Sequence, residues 1–120
     1  AFIDTWIGGG APPLRLEDGR YLAIYHIGNR KADMTREYDL GIALLDPLRP
    51  DPVVRRDEPL LRPQTVQETT GDADLGVNNV VFMCGAFFHG GDLWFPYAGA
   101  DSVVLGGRIA GGDLARYCGT

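Results

Sequence analysis

The 120 residues carry a net charge of −5 and no run of basic residues, which argues against nucleic acid as a partner. Apolar residues make up 45% of the chain, enough for a core without metal or disulfide staples, while 17 glycines and 8 prolines favour a turn-rich all-β fold. No apolar stretch is long enough for a membrane span, no signal peptide is visible, and two cysteines without metal spacing point by default to the cytoplasm.

Residues 1–7 read as a short strand, or the tail of one, containing Trp6. Gly8, Gly9 and Gly10 form a loop that admits close approach of backbone or ligand. Asp18-Gly19 is a hairpin signal, and residues 20–27 form the return strand. Tyr21, Ala23 and Tyr25 take one face of it; Leu22, Ile24 and His26 take the other. Residues 28–37, with Arg30 and Lys31, read as the most charged loop, and residues 38–46 as the third strand. Pro47, Pro50 and Pro52 end it, and residues 53–55 form a short outer strand guarded by Arg56, Asp57 and Glu58.

Residues 64–79 read as a polar connection able to fold over a site, carrying Glu68, Asp72 and Asp74. Residues 80–88 form an apolar run that turns at His89-Gly90-Gly91 and returns over residues 93–97. Both runs are apolar at nearly every position, so both faces are expected to be covered. Cys84 is read as a core thiol; pairing with Cys118 is the less favoured alternative. The hairpin ends at Asp101, residues 103–109 follow as a strand, and Asp113 caps one helical turn through Tyr117.

The two hairpins repeat. One shift lays Gly19 on Gly91, Tyr21 on Leu93 and Tyr25 on Tyr97. Such a repeat of short strands fits two blades of a β-propeller, or simply two similar hairpins. The expected units are residues 1–58 and 78–120, joined by a linker over 59–77.

Several segments carry a family likeness in the same order along the chain: Trp6-Ile7-Gly8-Gly9-Gly10-Ala11-Pro12-Pro13, Leu22-Ala23-Ile24-Tyr25-His26, Leu40-Gly41-Ile42-Ala43-Leu44-Leu45-Asp46, Glu58-Pro59-Leu60-Leu61, Asn79-Val80-Val81-Phe82 with Cys84-Gly85, and residues 97–101. On these the chain resembles the C-terminal part of glycoside hydrolase family 130, the β-mannoside phosphorylases and related glycosidases. It departs from that pattern at Ile27 after the histidine, at Asp39 where an arginine is usual, and in the order Ala98-Gly99-Ala100.

The resemblance implies an all-β, antiparallel fold of about two blades of a five-bladed propeller, with the site near the axis. It implies a truncated β-mannoside phosphorylase or related glycosidase, passing a mannosyl group with inversion to phosphate or to water. It also implies that the general acid lies upstream, so no residue of this chain is assigned a catalytic role and the chain alone is expected to be inactive. Substrate binding falls to Asp101, whose carboxylate accepts two sugar hydroxyls at once, to His26 and to Tyr38. Lys31 and Arg30 are candidates for phosphate. No metal or cofactor is implied beyond phosphate as co-substrate, and the expected partner is a small β-mannoside. A two-blade piece also leaves open edges, so a homo-oligomer is expected. The rival reading is a non-catalytic carbohydrate-binding or self-assembling β-domain.

Overall fold

The structure, a computed structural model, describes residues 2–49, 54–55, 58–70 and 79–118. In the first sheet, β1 (Phe2–Gly8) and β2 (Leu14–Arg15) lie antiparallel to β3 (Tyr21–Lys31). The other edge of β3 pairs with β4 (Arg36–Leu45), and β4 with β5 (Val54–Arg55). In the second sheet, β6 (Val81–Phe82) and β7 (Phe87–His89) pair with β8 (Asp92–Gly99), and β9 (Val103–Ile109) pairs along the length of β8. Since a strand has two edges, β6 and β7 share the one that β9 leaves. The helices are short: α1 (Val66–Thr69) and α2 (Gly111–Cys118).

The repeat legible in the sequence is a repeat of architecture. Each sheet opens on an interrupted strand whose two halves pair with the same neighbour. Residues 9–13 bow out between the pairs Gly8↔His26 and Leu14↔Leu22. Residues 83–86 bow out between Phe82↔Ala98 and Phe87↔Trp94. Both are bulges, with more residues on the interrupted strand than opposite it. A Cβ at Gly10 would stand 2.3 Å from the Ile24 carbonyl oxygen, so only glycine lets the first bulge lie on β3. The superposed Gly19 and Gly91 both have positive φ, +86° and +82°.

The sheets pack face to face over one core. Leu22, Ile24, Leu40 and Ile42 meet Val81, Met83, Leu93, Phe95 and Ile109. The alternation expected along β3 holds: Leu22, Ile24 and His26 are buried, and the residues between them are half-buried. The outer edge of β4 is covered piecemeal, by β5 at Ala43 and Leu44, by Leu61 at Leu40, and by Val80 at Tyr38. Each short piece satisfies backbone groups that a bare edge would expose. These are two antiparallel blades of propeller type with little helix, as the sequence led us to expect.

Five expectations are corrected. The charged loop over 28–37 is mostly strand: β3 runs on to Lys31 and β4 starts at Arg36, leaving a tight turn in which Asp33 Oδ1 accepts from the Thr35 amide and hydroxyl at 3.0 and 2.6 Å. The apolar run 80–88 is two strands, not one. Its outer face is open: Phe87 is 53% exposed, because no layer of the described residues lies over it, and Phe88, turned to the other face beside Leu93, is exposed as well. Cys84 is exposed and free, since alternation from Val81 and Met83 inward turns it outward. Asp113 lies within the first turn of α2 rather than at its cap. Asp72 and Asp74 of the polar connection, and Arg56 and Asp57 of the guarded edge, lie outside the described residues.

Candidate functional site

Trp6, opposite Gly28 on β3, lies where that glycine has no side chain; a Cβ there would stand 2.2 Å from the indole. The indole therefore reaches Tyr38, opposite Gly28 on the far side, and meets its ring edge-on at 5.9 Å. Arg30 and Arg36, directly opposed across β3 and β4, sit 5.6 and 5.9 Å from the centre of the same indole. Two guanidiniums in register repel, and sharing the π-face of Trp6 offsets part of that. Arg30 and Tyr38 are thus brought together. Lys31 is not with them: the next residue along a strand faces the other way, and its ammonium is 4.0 Å from Glu37.

Asp101 is the middle residue of the three, 100–102, that connect β8 to β9. Ala100 and Asp101 both adopt left-handed φ, 47° and 53°, and the Ser102 amide donates to the Gly99 carbonyl at 2.9 Å. That is a type I′ turn, normally built on Asn-Gly. Building it from Ala-Asp costs on the order of 1–2 kcal/mol at Ala100 and less at Asp101, whose short polar side chain tolerates the left-handed region, and such strain tends to sit where a side chain has work to do. Asp101 is exposed, and among the described residues no hydrogen bond or ion pair engages its carboxylate. The turn is anchored: the Ala100 amide donates to the Val80 carbonyl and the Tyr38 amide to the Asn79 carbonyl, each at 2.9 Å. Residues 79–80 therefore tie the Asp101 turn to the strand bearing Tyr38.

His26 is 4% exposed, within β3 rather than at its end. Its Nε2 accepts from the Met83 amide at 3.0 Å, and its ring stacks on Phe82 with centroids 3.7 Å apart. Burial holds the imidazole below its ordinary pKa of 6.5.

Two buried groupings were not read as such from the sequence. On the face of the first sheet away from the core, Glu37 and Asp39 are both buried. Asn29 Nδ2 donates to Asp39 Oδ2 at 3.0 Å, Thr5 Oγ1 donates to Asn29 Oδ1 at 3.0 Å, and Arg62 Nε donates to Glu37 Oε2 at 3.1 Å. Burial, then the hydrogen bond and charge of Glu37, push Asp39 up to about 7. Asp39 was visible as a departure from the family pattern, and its alternation with Glu37 as two carboxylates on one face.

The other grouping centres on Glu68. Its Oε1 accepts from the Gln64 and Thr65 amides at 3.0 and 2.9 Å, and its Oε2 from the Tyr97 hydroxyl at 2.5 Å. Burial opposes its charge, but the bonds from Thr65, Tyr97 and Gln64 hold its carboxyl below the usual range. Its backbone carbonyl takes the Val80 amide at 3.1 Å. Glu68 thereby fixes the strand on which the Asp101 turn hangs. The signal was Thr65-x-x-Glu68, a capping-box spacing. Among the described residues no group of three His, Cys, Asp or Glu side chains is gathered as metal ligands, and no helix is long and apolar enough to cross a membrane.

Two face-packed antiparallel blades define a propeller-type protein. Residues 2–112 match the profile of glycoside hydrolase family 130, described as beta-1,4-mannooligosaccharide phosphorylase, and the chain belongs to that family. It is 40% identical over 118 residues to a beta-1,2-mannobiose phosphorylase of Thermoanaerobacter sp. (strain X514), covering 94% of this chain and 36% of that protein. It is 38% identical over 106 residues to a 1,2-beta-oligomannan phosphorylase of the same organism, covering 84% and 33%. The solved beta-1,2-mannobiose phosphorylase of Listeria innocua, in complex with beta-1,2-mannobiose, superposes with a TM-score of 0.74 at 30% identity, covering 94% of this chain and 30% of that one. The chain spans about a third of the length of the curated relatives it matches.

Proposed function

We infer that this chain supplies the sugar-binding part of a mannoside phosphorylase site. The observation that carries the reading is the unengaged Asp101 carboxylate on a strained, anchored turn, in a chain whose relatives are mannoside phosphorylases. In the proposed reaction phosphate attacks the anomeric carbon of a β-mannoside, the glycosidic bond breaks, and configuration inverts. Asp101 accepts hydroxyl protons of the mannosyl unit, two at once, and holds the ring in place for attack from the opposite face.

Tyr38 walls the subsite, with Trp6 set edge-on to it. Arg30 is the candidate cation for phosphate, joined by Arg36 across the strand pair; neither is held by a carboxylate among the described residues. Lys31 is the weaker candidate, since Glu37 competes for its ammonium. His26 is proposed to serve the site from behind, through the backbone it holds. We assign the general acid to none of these 120 residues, so by themselves they are expected to bind sugar without turning it over. With water in place of phosphate the same groups serve hydrolysis.

The test is isothermal titration of mannose and of inorganic phosphate into the protein, followed by incubation with both β-1,2-mannobiose and phosphate. Saturable mannose binding without mannose 1-phosphate formation is the expected result. Release of mannose 1-phosphate would contradict the division of labour, and absence of any mannose binding would contradict the site.

A further inference from the structure

The bulge of each blade lies beside the same side chain, His26. In the first blade, the residue across the strand pair from His26 is Gly8, where the bulge of residues 9–13 begins. In the second, the Met83 amide that opens the bulge of residues 83–86 donates to His26 Nε2 at 3.0 Å.

We propose that His26 is a positioning residue that clasps the two bulges, holding the segments around residues 9 and 83 in register with each other while touching no ligand itself. A backbone N–H can donate only to an unprotonated ring nitrogen, so Nε2 carries no hydrogen and the ring proton sits on Nδ1. The Gly9 backbone favours the ring's proton, but burial outweighs it. Residue 26 therefore meets the first bulge through its strand pair with Gly8 and the second through Nε2.

A direct phosphate contact demands the opposite arrangement, an N–H offered to the anion. It also demands access, and His26 is 4% exposed beneath the stacked Phe82 ring. The surroundings keep the ring neutral. Gly8 and Leu40 lie across the two strand pairs and Phe82 covers the face, none of them charged. Burial and the Gly9 and Met83 backbones are what act on its protonation.

This inference rests on the sugar-site reading only for its effect on affinity. The clasp itself is read without ligand. The experiment is nitrogen NMR of the histidine rings and the Met83 amide in the full chain, with mannose titrations of wild type, His26→Gln and His26→Asn. Gln carries an amide group near the position of Nε2, and Asn near that of Nδ1. The wild-type ring is expected to be the neutral Nδ1–H tautomer and to remain so when mannose or phosphate is added. His26→Gln should keep the low-field Met83 amide and a mannose affinity within about threefold of wild type. His26→Asn should move that amide upfield and weaken mannose about tenfold, since a buried N–H is left unpaired.

A protonated ring, an Nε2–H tautomer, or a ring shift on phosphate addition typical of direct contact would overturn the proposal. So would a Met83 amide unmoved in His26→Asn. If wild type binds no mannose, the function reading fails, while the tautomer and the Met83 amide still decide the role of His26. The tautomer needs no variant, so it decides even if His26→Asn does not fold.

Discussion

Asp39 shows what burial does to a single carboxyl. It is 1% exposed, beside a second carboxyl, with its Oδ1 unpaired. Arg62 and Asn29 favour its charge, but burial and Glu37 outweigh them and raise it from 3.8 to about 7. An acid whose folded pKa is raised stabilises the fold fully below its unfolded value, and that contribution is lost as pH rises through the folded value. Asp39→Asn keeps a neutral donor for Glu37 at every pH. Thermal unfolding from pH 4 to 8 should therefore show a smaller loss of Tm toward pH 8 in Asp39→Asn than in wild type. Parallel curves would show that Asp39 does not titrate in that window. Asp101 is the contrary case, exposed and unengaged. Asparagine tolerates left-handed φ well, so Asp101→Asn should keep the wild-type Tm within about 2 °C by calorimetry, making any loss of binding a loss of charge.

At the scale of strands, an aromatic ring repeatedly lies across a glycine on the neighbouring strand: Trp6 on Gly28, Tyr25 on Gly41, and Phe95 on Gly107. The ring covers the glycine and fixes register. A Cβ at Gly107 would stand 2.3 Å from Phe95, which is locked in the core; at Gly28 it would meet Trp6, which is only half-buried and can swing away. Gly107→Ala should accordingly cost about 3 kcal/mol in urea unfolding and Gly28→Ala about 1 kcal/mol. Equal costs would mean that core packing does not set the difference. Glu68→Ala strands the Gln64 and Thr65 amides and the Tyr97 hydroxyl, for a loss of about 2–4 kcal/mol. Because the folded pKa of Glu68 is lowered, its contribution is present above its ordinary 4.5 and fades as pH falls through the folded value. Urea midpoints of wild type and Glu68→Ala should therefore converge below that value; a gap that persists undiminished in acid would contradict the assignment.

The strands were legible because hydrophobic alternation and the Asp18-Gly19 and Gly90-Gly91 turns are local signals. The interruption at residues 83–86 was not, since nothing in Met83-Cys84-Gly85-Ala86 breaks an apolar run until the register against β8 is known. The candidate site was legible as a set of residues but not as a set of directions. Arg30 and Lys31 looked like one charged loop until β3 ran on to end at Lys31 and turned one to each face. Glu68 carried a capping-box spacing, yet its bond to Tyr97 joins residues 29 apart in sequence.

For the molecule as a whole, one face of the second sheet is left uncovered by the described residues. Phe87 is 53% and Val104 80% exposed, and Trp94 and Pro96 lie on the same face between them. An apolar face of this kind promotes association. Sedimentation velocity should show wild type associating at high micromolar concentration and Val104→Lys shifted toward monomer; a monomeric wild type at that concentration would sink the idea. The central claim is that the chain holds the mannosyl unit through Asp101. Calorimetric titration of mannose into wild type and Asp101→Asn tests it most directly. The account predicts saturable binding by wild type and an affinity at least about tenfold weaker in Asp101→Asn, the cost of losing a charged hydrogen-bond acceptor. Equal affinities in the two proteins would contradict it.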